Sequence, residues 1–363
     1  MNRRTLLSSA IALAIPVSVH AGPLRPFRMG VTLWPADLTL DAIMATLAFI
    51  TDQCDMAAPM ILGGVPWTEA LSGEPYSAKL REELEWRPPE GHRLLLSVGA
   101  LDEGRSSLAA YFGTEDNQPL PDAFVGLAFD DPMVIAAYSA FCVQAAATMR
   151  PDWLVIGIEC NILLENNPDA WPAYKRLHRA AYAAVKRAFP DLQVGFSIDA
   201  LHYIGIDGNN AAVQRAEVLD LAQDTDLIGI SLYPHMSWAV PRPIPEDWMD
   251  FMAELAQATG KPVAVTESGY TSRDVRVGPT QLFGSPDEQA HYLRLLLTAA
   301  ERGRFLFVVN FCSHDFEPLT NRLTGEAREL AMIWTYTGIL EANGNDKPAT
   351  EVWREAMARQ FSA

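Results

Sequence analysis

Cysteine is scarce in this chain: Cys54, Cys142, Cys160 and Cys312 stand alone among 363 residues, with no two in CxxC spacing. A thiolate zinc site, whose ligands come in close pairs, is therefore not indicated. The seven histidines form no HxH or HExxH pair, Ser268 lies outside any GxSxG elbow, and fragments such as "VRVGPTQLFG" lack the lysine of a phosphate loop. Metal-assisted hydrolysis, serine hydrolysis and nucleotide chemistry thus miss their usual residues, and no metal or cofactor is expected. Basic residues are also few, 28 Lys and Arg against 45 Asp and Glu, for a net charge of −17. Nucleic acid and anionic membrane surfaces reward Lys and Arg, so neither is expected as a partner. No Ser/Gly linker, internal repeat or low-complexity stretch divides the chain.

What is present begins with "MNRRTLLSSAIALAIPVSVHAG", two arginines, an apolar run and a Val-His-Ala ending. This reads as a secretory signal over residues 1–21, removed after Ala21, which implies a secreted or periplasmic protein. Pro16 and Ser18 interrupt the run, which falls short of the roughly 20 residues of a spanning helix. No later stretch is expected to be long and apolar enough to span a membrane. The remaining 342 residues, 22–363, lose two arginines and carry a charge of −19, suited to a soluble monomer. Export permits one disulfide, but three of the four cysteines lie in apolar or strand-like runs, where a buried free thiol is the commoner outcome.

Short β-branched runs alternate with longer amphipathic segments. "FRMGVTLW", "QCDMAAPMIL", "RLLLSVGAL", "DWLVIGIEC", "LQVGFSID", "TDLIGISLYP", "KPVAVTESGY" and "RFLFVVNFC" give eight strand candidates. Between them, "DPMVIAAYSAFCVQAAATMR" and "WPAYKRLHRAAYAAVKRAF" repeat apolar residues at three and four. "SPDEQ" marks a helix start, with Ser285 as cap, Pro286 in the first turn and Glu288 three residues after the cap. This pattern predicts an α/β fold, a single (β/α)8 TIM barrel, with a doubly wound open sheet as competitor.

In such a barrel the C-terminal strand ends converge on one mouth, where active sites lie. Strand four ends in Glu159 and strand seven in Glu267. Two carboxylates facing each other can divide the work of a retaining glycosidase: one attacks the sugar while the other supplies and then removes a proton. The competing structural reading pairs each glutamate with an arginine at the barrel rim.

At these residues the chain resembles clan A, the 4/7 superfamily of glycoside hydrolases, and within it the arabinogalactan endo-β-1,4-galactanases and related β-glycanases. The resemblance rests on "VTESGY" at strand seven and "IGIECN" at strand four. It extends to "GISLYPHMSW", "SPDEQAHYLRLLL" and the closing "YTGILEANGNDKPATEVW". It implies Glu267 as nucleophile, Glu159 as acid/base and Tyr233 as the hydrogen-bond partner of the nucleophile. One position departs: the family's usual Asn before the acid/base, which holds the sugar 2-hydroxyl, is Ile158 here, and Asn161 is the candidate substitute.

Trp34, Trp67, Trp238 and Tyr270 fall near strand ends, where flat faces could stack on sugars, although tryptophans also plug barrel tops. Asp199, His202, His235, Asn310 and His314 are further candidate glycan contacts, and Asp315 lies beside the last. Trp86, Trp153, Trp171, Trp248, Trp334 and Trp353 are assigned to packing. Asp55, early in strand two, is expected in a buried hydrogen bond. The expected activity is endo rather than exo cleavage of a β-linked glycan. The alternative, favoured by Ile158, is a carbohydrate-binding barrel that assists polysaccharide synthesis or export without hydrolysis.

Overall fold

The computed structural model describes residues 24–362, so the signal expected at 1–21 lies outside the described residues. All eight runs form strands: β1 (Arg28–Val31), β2 (Met56–Ala57 continuing as Met60–Ile61), β3 (Arg93–Val98), β4 (Trp153–Val155), β5 (Gln193–Asp199), β6 (Leu227–Leu232), β7 (Val263–Ser268) and β8 (Phe307–Asn310). Neighbours pair in parallel in chain order, β8 returns to β1, and the sheet closes as a (β/α)8 barrel. Strand β2 breaks because Pro59 has no N–H for the ladder, though its carbonyl still accepts from the Ser97 N–H at 3.1 Å.

Alternation along the strands fills two cores. Leu95, Val155, Ala264, Phe307 and Val309 plug the barrel interior with Met56 and Ile158. Leu94, Leu96, Val194, Ile228, Val263 and Val265 face the surrounding helices. Ser285 caps the helix Pro286–Gly303, accepting from the Glu288 N–H at 3.3 Å while its hydroxyl donates to the Glu288 carboxylate at 2.9 Å.

One expectation is corrected. The helix Pro132–Met149, 18 residues of mean hydropathy 1.4, is long and apolar enough to cross a membrane by length and composition. It packs against the helices Trp67–Ser72 and Trp171–Ala188, and Tyr138 donates to the Ile156 carbonyl at 2.9 Å. Being covered by neighbours over much of its surface, it needs little polar residue, and that produces the membrane-like composition.

All four cysteines are buried and free, and burial pushes the thiols of Cys142, Cys160 and Cys312 up to about 12. Asp55 sits near the opposite end from the mouth, accepting from the Met29 N–H at 2.6 Å and from Arg25 at 2.9 Å.

Candidate active site

Strict alternation would misplace Glu267. Val263 and Val265 face the helices, so a residue two further on should do the same. The ladder between β6 and β7 slips instead: Ile230 pairs with Val265, but Ser231 pairs with Glu267. Thr266 is the extra residue of a β-bulge, and the half-step it adds turns Glu267 to the mouth. There the Tyr233 hydroxyl donates to Glu267 Oε1. Gly269 makes this contact possible, since a Cβ at that position would lie 2.9 Å from Thr337 Cβ and 3.2 Å from the Tyr233 ring.

Glu159 lies four residues beyond β4, in a left-handed backbone conformation with φ of 48°. For a side chain with a Cβ this costs about 1–2 kcal/mol, and it persists because several contacts hold the residue. Its N–H donates to Ser197 Oγ at 2.9 Å. Its carboxyl accepts from Ser231 Oγ at 2.7 Å and from Arg105 Nη2 at 2.9 Å. Ser231 and Tyr233 are two residues apart, so they share a face and stand about 7 Å apart along the chain. Each anchors one glutamate, which brings both carboxyls over one mouth.

Burial raises the Glu267 carboxyl to about 8, the charge of Glu159 adds to the rise, and the Tyr233 hydroxyl and Arg105 oppose it. The same burial, followed by the neighbouring Glu267, drives the Tyr233 phenol well above its ordinary value, so it remains a donor. His202 is pulled down by burial. The 2.7 Å bond to Asp199, that residue's charge and those of Glu165 and Glu159 outweigh this and leave its pKa raised. His202 Nε2 is 3.3 Å from Glu165, tying the segment after Glu159 to the segment after β5.

The remaining candidates divide. Trp34 is half-buried beside Phe311 at 5.6 Å and Phe316 at 5.8 Å, and Trp334 stands edge-on to Tyr233 at 6.0 Å. Both rings pack on the aromatic cluster that contains Tyr233, the partner of Glu267. Trp334 packs on the buried cluster of Tyr233, Phe311, Cys312 and Phe316, in line with its assignment to packing. Trp238 is 91% exposed, on a groove shared with Met236, Arg242 and Phe283.

The other candidates are held by bonds and contacts within the fold. Trp67 is fully buried, donating to the Ala109 carbonyl at 2.9 Å and packed on Phe124 and Tyr138. Asn161 is also fully buried: its amide donates to the Asp199 carbonyl and Gln214, and its oxygen accepts from the Asp199 N–H at 2.7 Å. It braces β5 and cannot stand in for the amide absent at Ile158, whose side chain joins the barrel interior. Asp199 is buried as the cap of the helix Ala200–Ile204. His235 is buried, bonded to the Ile333 carbonyl at 3.0 Å and lowered by burial to about 4. Tyr270 stacks on Tyr292 at 5.5 Å with little exposure and, with His235, lines the groove beside Trp238. Asn310 donates to the carbonyls of Cys312 and Thr337. His314 turns away to Ser313 and Phe49. Asp315 forms a buried ion pair with Lys347 at 2.7 Å. His202, His235 and His314 thus serve three separate neighbourhoods.

Arg105 and Ser231 are site residues that the sequence reading missed. Arg105 lies in "LDEGRSS", an aperiodic loop with no motif. Ser231 is visible only once the inward phase of β6 is known.

No family model matches the chain, and no curated protein matches it. Solved structures do. The Ignisphaera aggregans GH53 catalytic domain aligns at TM-score 0.62 with 19% identity, over 93% of this chain and 98% of that one. GH5_18 from Streptomyces cattleya, in complex with Manb1-4GlcNAc, aligns at 0.64 with 18% identity, over 92% and 80%. The exo-β-1,4-mannosidase from Opitutaceae bacterium strain TAV5 aligns at 0.63 with 16% identity, over 92% of this chain, which spans 59% of that enzyme's length. At such identities the likeness establishes a shared barrel fold, the fold that the resemblance to clan A implied.

Proposed function

We propose that the protein is a retaining β-glycoside hydrolase, with Glu267 as nucleophile and Glu159 as acid/base. The observation that carries this reading is the pair itself: two carboxyls, anchored by the hydroxyls of Ser231 and Tyr233 at the C-terminal end of β6, over a single mouth. In the first step Glu267 attacks the anomeric carbon while Glu159 protonates the departing oxygen. In the second, Glu159 takes a proton from water as that water displaces Glu267. Tyr233 orients Glu267 from within the aromatic cluster on which Trp34 and Trp334 pack. The likeness to glycosidase structures, among them an exo-mannosidase and a mannoside complex, supports the substrate class. The enzyme acts as a monomer after export, more on internal bonds than on chain ends, with the exposed Trp238 as a platform for the extended chain.

A second reading keeps the barrel and drops the hydrolysis: glycan binding in the service of polysaccharide synthesis or export. Ile158 and the ion pair holding Glu159 to Arg105 favour it. Incubation with β-galactans, β-glucans and β-mannans, followed by product analysis, separates the two. Hydrolase action gives oligosaccharides of retained configuration. Binding without any product on the whole panel supports the second reading and rejects the first.

A further inference from the structure

The groove beside Trp238 has walls from two parts of the chain. One is the segment after β6, where Trp238 stands in solvent. The turn that presents it is pinned by Ser237, whose hydroxyl donates to Asp207 at 2.8 Å and accepts from the Ala239 N–H at 3.0 Å. The other wall is the antiparallel hairpin of Val275–Val277 and Thr280–Leu282, inserted after β7, with the exposed Phe283 next to it. Arg242 lies over the Phe283 ring at 5.2 Å and forks onto the Glu288 carboxylate, with both Nη2 bonds at 2.7 Å and the Nε bond at 3.0 Å. Both walls are thus set before a ligand arrives, which spares part of the ordering cost of binding. The floor leads to the candidate active site. Buried His235 and Tyr270 line it with ring centres 5.5 Å apart, and His235 stands edge-on to Tyr233, the partner of Glu267.

The charge of this groove is balanced. Among the described residues that line it, Arg242 is the sole lysine or arginine, and Glu288 neutralises it. His235, lowered by burial to about 4, is neutral near pH 7. A polyuronate, a phosphorylated ligand or an acidic peptide meets no unpaired cation here, and the chain's net charge of −17 repels it. Flat rings with the exposed polar Thr280 and Gln281 beside them match the apolar ring faces and hydroxyl rims of uncharged sugars. We propose that this groove is a distal subsite for an uncharged glycan, which rests on Trp238 and Phe283 while the bond to be cleaved lies at Glu159 and Glu267. Only the last clause rests on the hydrolase reading. Phe283, supplied by the insertion after β7, makes the site two-walled where Trp238 alone would be a single platform.

Binding is tested by affinity electrophoresis through gels holding β-galactan, β-glucan, β-mannan or the polyuronate alginate, in the Glu267→Gln background so that the glycan is not consumed. At least one neutral glycan retards the protein, and alginate does not. Phe283→Ala weakens that retention about three- to tenfold, the worth of one aromatic contact, while Phe283→Trp keeps it and controls for the folding of the hairpin. With Glu267 restored, Phe283→Ala lowers kcat/KM on a long oligosaccharide three- to tenfold more than on an aryl monoglycoside. Retention by alginate alone, retention by none of the four, or equal retention of Phe283→Ala and its parent overturns the proposal. So does a dimer in sedimentation that Phe283→Ala converts to monomer, which would make the groove an interface between copies. If a neutral glycan retards the parent but not Phe283→Ala, and no β-glycan is ever cleaved, the subsite stands and the hydrolase reading falls. If β-glycans are cleaved and Phe283→Ala behaves as wild type at every chain length, the hydrolase reading stands and the subsite falls.

Discussion

Replacing Glu267 with glutamine should stabilise the protein, increasingly as pH rises above about 4.5. Its carboxyl, ordinarily near 4.5, is raised to about 8, chiefly by burial. Between those values the folded chain holds a proton that the unfolded chain has released. The stability tied to this group is therefore complete below about pH 4.5 and is lost as pH rises toward 8, at about 1.4 kcal/mol per pH unit for one proton. Across the window the loss totals about 5 kcal/mol as an upper bound, and solvent reaching the half-buried carboxyl trims this to about 2–5 kcal/mol. Glutamine keeps the shape, accepts from Tyr233 and cannot ionise. Thermal unfolding of Glu267→Gln and wild type from pH 4 to pH 9 should therefore give similar midpoints at the acid end. At pH 9 the variant should melt about 4–10 °C higher, at about 2 °C per kcal/mol for a chain of this length. A midpoint difference that does not change with pH, or a less stable variant at pH 9, refutes the reasoning.

Four further expectations follow from the packing. Trp67→Ala should cost about 3–5 kcal/mol by emptying a buried aromatic site. Trp238→Ala should leave stability within about 0.5 kcal/mol yet weaken retention on an immobilised β-glycan, as denaturant titration and affinity electrophoresis would show. Lys347→Met, which leaves Asp315 buried without its partner at 2.7 Å, should cost about 3–5 kcal/mol, and adding Asp315→Asn should recover most of that loss. The four buried thiols should resist a thiol reagent in the native state and react fully after denaturation in guanidinium.

The barrel was legible because each of its strands is a compact apolar run and several helix starts carry a capping side chain, Ser285 being the plainest. The fine placement of side chains was less so. A bulge at Thr266 reverses the alternation that would have sent Glu267 outward, and no sequence period encodes it. Asn161, two residues past Glu159, was expected on the mouth side, but the chain leaves β4 at Val155 and turns through a 3-10 segment that buries the amide under β5. Trp67 and Trp238 look alike as tryptophans past strand ends. One enters the core because a helix begins at it, while the other stays on an open loop. Arg105 escaped notice because a braced loop of Asp, Gly and Ser has no hydrophobic pattern. Its hydrogen bonds, rather than its neighbours in sequence, define its place.

The division of labour between the two glutamates is tested most directly by azide with Glu159→Ala and Glu267→Ala on an activated aryl β-glycoside. With Glu267 as nucleophile, Glu159→Ala still forms the glycosyl-enzyme, and azide enters from the face the leaving group vacated, giving the β-glycosyl azide. Glu267→Ala has lost the attacking group, so azide takes its place on the opposite face and gives the α-glycosyl azide. Opposite anomers from the two variants would reverse the roles of Glu159 and Glu267. If neither replacement changed activity on any β-glycoside, the pair would not be the catalytic centre.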